Sequence, residues 1–314
     1  MKRMLTTIAL AIILLVTALE AAMKKRVTFE SNGKTLVGDL YLPDTYQDGQ
    51  VLPGVVVTGA WTTVKEQMAG TYAAQIADRG YVALAFDFRG WGQSPDEVQF
   101  LEDPARKKAD INAAINFLAS RPEVDRNRMG GLGVCASAGY MSDTALQNPH
   151  IKSVALVAPW LHNAEIVEAT YGGKEGVSKL IQIGREAQAS TEPVILEAAS
   201  ATNDKAVMYQ VPYYTETDRG LISEYDNKFN VASWEPWLTY NAIETADKLK
   251  KPTVLIHSEV AAIPQGAKEY ARRMGDNAKM IWLDGITQFD FYDQPKAVKT
   301  SSDAVADHFK ATLK

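Results

Sequence analysis

Residues 131–140 read Gly131-Leu132-Gly133-Val134-Cys135-Ala136-Ser137-Ala138-Gly139-Tyr140. In this stretch a predicted strand, residues 129–134, runs through a turn of small residues into a helix. Cys135 stands at the centre of the turn. A sharp strand-to-helix turn needs small neighbours, because it holds the side chain of a nucleophile in a strained conformation above the edge of a sheet. The pattern therefore predicts a nucleophile elbow with Cys135 as the nucleophile.

Cysteine suits this position chemically. The amides at the N-terminus of the following helix are expected to lower the pKa of the Cys135 thiol and to favour the thiolate, the form that attacks. The alternative is that Cys135 is a small, buried and unreactive apolar residue, as single cysteines often are. Its position in the turn favours the first interpretation.

On both sides of this turn the chain alternates between strands and helices. Val55-Val56-Val57 is a continuous β-branched run, typical of a strand buried on both faces of a parallel sheet. Asn32-Gly33 favours a hairpin between the first two strands. The predicted strands are residues 27–30, 35–42, 55–57, 81–86, 129–134, 154–158, 253–256 and 280–283. This alternation predicts the α/β class, with a mostly parallel, doubly wound sheet whose carboxyl edge carries the ligand site.

The alternation breaks over residues 160–248, which contain helical patches and aromatic clusters. We interpret this segment as an inserted, mainly helical cap over the sheet edge. The core then has a first part, residues 23–159, and a second part, residues 249–314. A chain of 314 residues with 46% apolar residues is sufficient for one large core of this kind.

Residues 1–22 have the three-part organisation of a secretory signal peptide. Two basic residues precede an apolar run over residues 5–19, and small alanines follow it. We expect an exported protein, periplasmic or secreted, with no stable membrane insertion once the signal is removed, because about fifteen apolar residues are short for a spanning helix. The alternatives are an uncleaved anchor and a cytoplasmic protein that starts at Met23.

Charge and composition exclude several classes of partner. A formal net charge of -5 provides no basic surface of the kind that binds nucleic acid or anionic lipid. The sequence has one cysteine, four histidines and no CxxC or HExxH motif, so we expect no disulfide, no metal site and no cofactor. The oligomeric state stays open.

Three landmarks occur in an order that is typical of one superfamily. They are Thr58-Gly59-Ala60-Trp61, the DxRGxGxS loop from Asp87 to Ser94, and the elbow itself. The chain after residue 25 resembles the α/β-hydrolase superfamily, and its cysteine elbow is similar to that of the dienelactone hydrolase branch, which typically uses a Cys-His-Asp triad. The resemblance implies an α/β-hydrolase fold, with oxyanion donors at the amide of Ala136 and at that of Ala60 or Trp61. Ser137 departs from the usual second glycine of the elbow.

Several side chains are candidates for the wall of the pocket. Lys65 and Glu66 follow the oxyanion turn, although a solvated pair at a helix start is the interpretation that we favour for them. Trp61 and Trp160 are candidates for apolar walls. Asp290 is a candidate pocket acid, with the alternative that it caps a turn.

The catalytic acid and base that the resemblance implies are missing from their usual places. In the family an HGxxDxxVP pattern follows the strand at 253–256. Here the stretch 257–264 has Ala261 in place of the aspartate. The family's Gly-x-x-His-x-x-x-Tyr pattern follows the next strand, and here Gln288 stands in place of the histidine, between Gly285 and Tyr292. A glutamine amide donates and accepts hydrogen bonds but takes no proton near neutral pH.

Two other histidines are candidates for a substitute base. His162 follows the strand at 154–158 and is expected near the carboxyl edge of the sheet. His257 ends a later strand, with Glu259 close by as an orienting acid. The alternatives are structural, with His162 at the hinge of the cap and His257 as a hydrogen-bonded core residue.

These observations leave three hypotheses about function. The first is a hydrolase or acyl transferase that acts on an ester, thioester or lactone through Cys135 and a backbone oxyanion hole, with an atypical or absent general base. The second is a catalytically impaired relative that binds a small apolar or aromatic ligand in the same pocket. The third is a structural protein whose cap forms an interface. Cysteine ionises far more readily than serine, which keeps the first hypothesis chemically open, and we favour it.

Overall fold

The computed structural model describes residues 23–314 of the chain. The signal peptide predicted over residues 1–22 lies outside them. Within the described range, every helix is too short or too polar to cross a bilayer.

Strands and helices alternate over most of this range. The strands are β1 (Met23–Ser31), β2 (Lys34–Leu42), β3 (Leu52–Thr58), β4 (Val82–Phe86), β5 (Val124–Val134), β6 (Ile151–Val157), β7 (Ile195–Glu197), β8 (Ala199–Ser200), β9 (Met208–Tyr209), β10 (Lys228–Asn230), β11 (Thr253–His257) and β12 (Ala278–Trp282). The α-helices are α1 (Met68–Ala77), α2 (Pro104–Ala119), α3 (Ser137–Gln147), α4 (Ala164–Thr170), α5 (Gly173–Ala189), α6 (Pro212–Thr215), α7 (Trp234–Leu238), α8 (Pro264–Met274), α9 (Asp290–Asp293) and α10 (Pro295–Thr312). Short 3-10 helices cover Val231–Ser233 and Gly275–Asn277.

The main sheet has the strand order β1-β2-β4-β3-β5-β6-β11-β12. Strand β2 is antiparallel to both of its neighbours. The remaining strands of this sheet run parallel to one another; they are β4, β3, β5, β6, β11 and β12. Asn32 and Gly33 close the β1–β2 hairpin with positive φ angles of 49° and 75°, as the dipeptide predicts. The predicted α/β class with a mostly parallel, doubly wound sheet is confirmed, and this is the arrangement of the α/β-hydrolase fold.

Helices cover both faces of the sheet, so its central strands are buried. Val55, Val56 and Val57 on β3 have no exposed surface. On β5, a Cβ atom at Gly130 would lie 2.7 Å from the ring of Phe309 on α10, and one at Gly131 would lie 2.4 Å from Met141 on α3. Because successive strand residues point to opposite faces, α10 and α3 lie on opposite sides of β5 and approach it closely. This packing fixes where β5 ends and where α3 begins.

The segment predicted as a cap, residues 160–248, contains helices α4 to α7 together with short strands. Strand β7 pairs with β10, and β8 pairs with β9, in small sheets separate from the main one. Helix α5 packs against α4 and α7. The segment is therefore not purely helical, and its short strands were not predicted because two or three residues carry too little periodicity.

A buried ion pair joins the loop after β3 to the loop after β4. The Lys65 ammonium donates to Asp87 Oδ2 at 2.8 Å and to Glu66 Oε1 at 2.5 Å, and both the Lys65 and Asp87 side chains are fully buried. The amides of Lys65 and Gln93 also donate to Asp87, at 2.8 and 3.0 Å. The favoured interpretation of Lys65 and Glu66 as a solvated pair is wrong for Lys65, because Asp87 draws its ammonium into the interior.

We expect Lys65→Met to lower the free energy of unfolding by about 3–5 kcal/mol, because it leaves the Asp87 carboxylate buried without its counter-charge. Urea denaturation followed by circular dichroism measures this loss. Lys268→Met is the matched control, since Lys268 pairs with Glu259 at the surface and an exposed pair is worth about 0–1 kcal/mol. Equal losses in the two variants would contradict the prediction.

Candidate active site

Cys135 lies between β5 and α3 with a left-handed backbone, at a φ of 57°. Such a conformation costs a non-glycine residue about 1–3 kcal/mol and persists only where its surroundings hold it. The Cys135 amide donates to the carbonyl oxygen of Val157 on β6 at 3.1 Å. Its own carbonyl oxygen accepts from the amides of Ala138 and Trp160 at 3.0 Å each. The strand-turn-helix arrangement expected around Cys135 is present. Hydrogen bonds to β6, to α3 and to the loop after β6 stabilise its left-handed backbone conformation.

Two neighbours of Cys135 make the turn tight. A Cβ atom at Gly133 would lie 2.6 Å from the Ser137 carbonyl oxygen, so a side chain there would push α3 away from the strand. Ser137, which departs from the family's second glycine, donates its hydroxyl to the carbonyl oxygen of Gly59. This departure ties the elbow to the loop after β3, where the second oxyanion donor is expected.

The loop after β3 distinguishes between the two candidate donors, Ala60 and Trp61. The Ala60 amide donates to the sulfur of Met68 at 3.4 Å and is therefore engaged elsewhere. The Trp61 amide faces Cys135, as does that of Ala136. The next amide, of Thr62, donates to Glu102 Oε1 at 2.5 Å. The hydrogen bonds of the Ala60 and Thr62 amides therefore hold the loop on both sides of Trp61.

Glu102 is itself part of a buried ion pair. Its Oε1 atom accepts from the ammonium of Lys107 at 2.5 Å, and both side chains are almost completely buried. The Lys107 ammonium also lies over the rings of Phe88 and Trp91, at 4.5 and 5.0 Å from their centroids. No motif in the sequence indicated that this pair supports the oxyanion loop, because Glu102 and Thr62 are forty residues apart.

Burial raises the pKa of the Cys135 thiol above its ordinary value. The Tyr292 hydroxyl, the Ala136 and Trp61 amides and the Gln288 amide oppose this rise in that order, as hydrogen-bond donors near the sulfur. The expectation that the helix N-terminus lowers the thiol pKa is wrong in its net direction. The reason is that the thiol is excluded from water, and the loss of hydration of the thiolate outweighs the donors.

The side chain of Gln288, which is predicted to stand in place of the family's histidine, forms hydrogen bonds through both its nitrogen and its oxygen. Its amide nitrogen donates to the carbonyl oxygen of Ala158 at 2.9 Å and to the hydroxyl oxygen of Tyr292 at 3.1 Å. Its amide oxygen accepts from the amide of Ala262 at 3.1 Å. Both amide hydrogens and the oxygen therefore have partners.

The contact between Ala262 and Gln288 joins the two loops that would carry the acid and the base. Ala261, in the aspartate's place, is buried in the same turn, and its amide faces the Ser258 carbonyl oxygen at 3.3 Å. In a Cys-His-Asp triad the acid accepts a hydrogen bond from the histidine. Here the loop donates one, through the Ala262 amide, so the polarity of the contact is reversed.

Tyr292 links Gln288 to the thiol. Its hydroxyl oxygen accepts from Gln288, which leaves the hydroxyl hydrogen available for the Cys135 sulfur. Burial raises the pKa of Tyr292 well above its ordinary value, so the phenol stays protonated near neutral pH and acts as a donor. Sequence reasoning assigned no role to Tyr292, although it occupies the tyrosine position of the Gly-x-x-His-x-x-x-Tyr pattern.

His162 lies outside the cavity that contains Cys135. Its Nδ1 atom accepts from the indole nitrogen of Trp160 at 3.0 Å, and its ring packs edge-on against Trp237 and Tyr240. Burial lowers the pKa of His162 to about 4. These contacts contradict its candidacy as a base for Cys135, and they show a histidine that holds Trp160 in position.

His257 and Glu259 also lie away from the thiol. His257 is buried, its Nε2 atom is 3.1 Å from the carbonyl oxygen of Ala262, and its ring packs against Trp282. Burial lowers the pKa of His257 to about 4. Glu259 is exposed and pairs with Lys268 at 2.5 Å. The structure therefore contradicts both the substitute base at His257 and its orienting acid at Glu259, and it matches the alternative of a core histidine.

Three candidates for the pocket wall also lie elsewhere. Lys65 and Glu66 take part in the ion pair with Asp87 and do not line the cavity. Asp290 accepts from the amide and the hydroxyl of Thr287, at 2.8 and 2.6 Å. The alternative holds for Asp290, which caps the turn before α9 because its carboxylate satisfies two local donors.

Cys135 opens into a cavity of about 290 Å³ with mostly aromatic walls. Trp61 and Trp160, the two walls that were expected, are among its lining residues. The complete set is Trp61, Cys135, Ala136, Trp160, Thr170, Tyr171, Val207, Met208, Val211, Tyr214, Trp234, Trp237, Ala262, Gln288, Phe289 and Tyr292. Nine of these sixteen residues belong to the segment predicted as a cap, residues 160–248, so this segment and the rest of the chain form the cavity together.

The chemistry of this lining is unusual for a hydrolase site. It contains no aspartate, glutamate, histidine, lysine or arginine. Cys135 and three tyrosines with raised pKa values are its titratable groups. Among residues 23–314 there is also no cluster of three acidic, histidine or cysteine side chains able to hold a metal ion. The cavity lining thus has a thiol and hydrogen-bond donors but no acidic, basic or histidine side chain that would accept a proton near neutral pH.

Comparisons with known proteins agree with this architecture. The chain is 27% identical to the uncharacterised protein YcjY of Escherichia coli strain K12 over 309 residues, which cover 93% of this chain and all of that protein. The crystal structure of the hypothetical protein PA2218 from Pseudomonas aeruginosa aligns with a TM-score of 0.81 at 24% identity, covering 93% of this chain and 94% of that one.

A third relative has a stated activity. The acyltransferase drtE of Aspergillus calidoustus is 28% identical over 174 residues, which cover 55% of each chain. Residues 40–255 match the model of the dienelactone hydrolase family. The family and the fold that the landmark motifs imply are therefore confirmed: the chain belongs to the dienelactone hydrolase family, and so to the α/β-hydrolases that act on ester-type bonds.

Proposed function

We propose that the protein cleaves an ester, thioester or lactone by forming an acyl-enzyme on Cys135. The observation that carries this proposal is the position of the thiol. Cys135 stands at a strained turn and opens into a substrate-sized cavity, with the amides of Trp61 and Ala136 beside it. A catalytic nucleophile needs this combination of exposure to the cavity and fixed donors, whereas a packing residue does not.

In this proposal the Trp61 and Ala136 amides form the oxyanion hole. Donors aimed at a developing oxyanion in a dry site contribute about 2.7–4 kcal/mol each to lowering the barrier. The anchoring of the loop through Thr62 and Glu102 supports the role of Trp61, since a donor that is already oriented needs no reorganisation during the reaction.

The absence of a base in the cavity restricts the substrate. Losing a general base lowers the rate by about 10²–10⁴-fold. The same group would also protonate the leaving group, so here the leaving group has to depart without a proton. A thiolate or a phenolate does so more readily than an alkoxide, which favours thioesters and activated esters over alkyl esters. The aromatic walls favour an apolar or aromatic acyl group. The acyltransferase drtE is a relative whose stated activity is of the same chemical class.

The same cavity would also suit a catalytically impaired relative that only binds an apolar or aromatic ligand. The observation that favours this second candidate is the lining without any acid or base. The two candidates differ in one respect, because only the first makes a covalent bond to Cys135.

We also propose that the protein is exported, on the pattern of residues 1–22, and the N-terminal sequence of the protein purified from a periplasmic fraction or culture medium tests this.

We expect p-nitrophenyl phenylacetate to add one phenylacetyl group to the protein, visible as a mass increase of the intact chain. Because Cys135 is the sole cysteine of the sequence, loss of the adduct in Cys135→Ala assigns it to that residue. The control is Lys268→Met at the surface, which should acylate normally. A protein that binds the ester but forms no adduct would refute the catalytic proposal and favour the ligand-binding candidate.

We expect alkylation of Cys135 by iodoacetamide to accelerate with rising pH, with a midpoint above the value of about 8.5 for an ordinary thiol. The sign follows from burial, which disfavours the thiolate and raises the pKa of Cys135. Tyr292→Phe should move the midpoint further upward, because it removes the donor that most opposes burial. A midpoint below that of free cysteine, or an unchanged midpoint in Tyr292→Phe, would contradict this electrostatic account.

We expect Gln288→His alone to leave the rate of hydrolysis nearly unchanged. The Ala262 amide would donate to the nearer ring nitrogen, so the proton would sit on the other nitrogen and the ring could not accept one from Cys135. Adding Ala261→Asp supplies an acceptor that favours the opposite tautomer, and the double variant should hydrolyse the ester about 10²-fold faster than the parent.

The matched control for this test is Gln288→His with Ala261→Asn, which keeps the size of the new side chain but not its charge. Steady-state release of p-nitrophenol and acyl-enzyme decay measure all the variants. If Gln288→His alone were as fast as the double variant with aspartate, the reversed polarity of the Ala262 contact would have no catalytic consequence.

A further inference from the structure

We infer that the preferred acceptor of the acyl group is a small thiol rather than water, so that the protein exchanges acyl groups between thiols. This inference rests on the proposed acyl-enzyme at Cys135 and names the second substrate of the same site. It is drawn from the direction of the hydrogen bonds around the sulfur and from the composition of the cavity wall.

The groups that act on the Cys135 sulfur are all donors. They are the Tyr292 hydroxyl, the amides of Ala136 and Trp61 and the side-chain amide of Gln288. Donors of this kind stabilise a negative charge on the reacting atoms, whether on the sulfur or on the oxyanion. None of them can remove a proton from an incoming nucleophile.

Gln288 also takes no proton near neutral pH. Its oxygen accepts from Ala262 and its nitrogen donates to Ala158 and Tyr292, so its side chain is fixed in position but does not act as a base. His162 and His257, the two histidines considered as substitute bases, are outside the cavity and have pKa values of about 4. Water that enters this cavity therefore meets aromatic surface and hydrogen-bond donors.

Common acyl acceptors differ in the proton that they must lose. Water and alcohols are attacking groups only when a base removes their proton. A primary amine is mostly protonated near neutral pH, since ammonium groups of this type have pKa values of about 10, and the neutral amine must still lose a proton after it attacks. A thiol with a pKa of about 8.5 is ionised to a few per cent in the solvent and arrives with its proton already lost.

Thioester exchange balances without a base at either step. In the first step the Cys135 thiolate forms a bond to the acyl carbon, the carbon–sulfur bond of the donor thioester breaks, and the electron pair leaves with the donor thiolate. In the second step the acceptor thiolate forms a bond to the same carbon, and the pair of the broken bond returns to Cys135. The Cys135 thiol and the acceptor thiol each lose their proton to the solvent before they attack, and each departing thiolate takes a proton from the solvent, so no group of the cavity has to accept a proton and no oxidant or reductant is needed.

The cavity walls also suit a second sulfur atom. Sulfur packs favourably against aromatic rings. Trp61 and Trp237, whose ring centroids are 5.3 Å apart, both line the cavity that contains Cys135. A small apolar thiol is therefore retained next to the acyl-enzyme better than water is.

The test uses three acceptors that differ only in the attacking atom: 2-mercaptoethanol, ethanolamine and ethylene glycol. Cys135 is first acylated with p-nitrophenyl phenylacetate, the excess ester is removed, and each acceptor is added at the same concentration, with buffer alone as the fourth condition. Intact mass gives the rate at which the acyl group is lost, and chromatography with mass detection identifies the product as thioester, amide, ester or acid. The urea-unfolded acyl-enzyme provides the uncatalysed rate for every acceptor.

We expect 2-mercaptoethanol to remove the acyl group from the folded protein on the order of 100-fold faster than from the unfolded one, because the oxyanion donors act on this step. With water, ethanolamine or ethylene glycol the folded and unfolded rates should be similar. The double variant Gln288→His with Ala261→Asp should shift the product from thioester to acid, since it restores a base for water.

Three results would be decisive against the inference or its basis. If the acyl group is lost to buffer as fast as to 2-mercaptoethanol, or if ethanolamine gives amide as fast as the thiol gives thioester, the thiol preference is overturned while the acyl-enzyme stands. If the thiol reacts equally fast with folded and unfolded protein, the exchange is not catalysed. If no adduct forms on Cys135 at all, the proposed function itself fails and the inference fails with it.

Discussion

The strained backbone at Cys135 is the constraint on which the rest of the site depends. Its positive φ directs the side chain away from the sheet and into the cavity, and the turn can hold that conformation only while α3 packs tightly against β5. Gly133 permits the close packing, and hydrogen bonds between Cys135 and each of Val157, Ala138 and Trp160 keep the turn closed. The same turn brings the Ala136 amide next to the sulfur. The strained backbone, the donor and the thiol therefore come from one local structure.

The surroundings of the thiol are organised by hydrogen-bond direction rather than by charge. From the Ala262 amide through Gln288 and Tyr292, each group donates to the next, and the series ends at the Cys135 sulfur. In such a series each hydrogen bond polarises the next, and together they stabilise a negative charge on the last atom, the sulfur. A triad does this too, but it also moves a proton. Gln288 keeps such a series of donors next to the thiol, but a glutamine amide moves no proton near neutral pH.

The cap determines what reaches this chemistry. Trp234 and Trp237 from α7 pack with Trp61 of the oxyanion loop, at ring distances of 5.9 and 5.3 Å. One residue thus contributes a backbone donor to the thiol and an aromatic surface to the cap. Because these contacts exclude water, they strengthen every hydrogen bond around the sulfur and also raise the pKa of the thiol. The apolar wall of the cavity and the raised pKa of the thiol therefore have the same physical cause.

The sequence by itself determined the α/β class, the turn that contains Cys135 and the β1–β2 turn, and it predicts Gln288 and Ala261 at the places of the family's histidine and aspartate, because each depends on short-range periodicity or on a motif that is contiguous in the chain. Only the tertiary structure showed that the Ala60 amide is engaged by Met68, reversed the expected shift of the thiol pKa, and moved Lys65, His162 and His257 out of the pocket. Those outcomes depend on contacts between residues far apart in the sequence and on exclusion of water, and neither is encoded in local pattern.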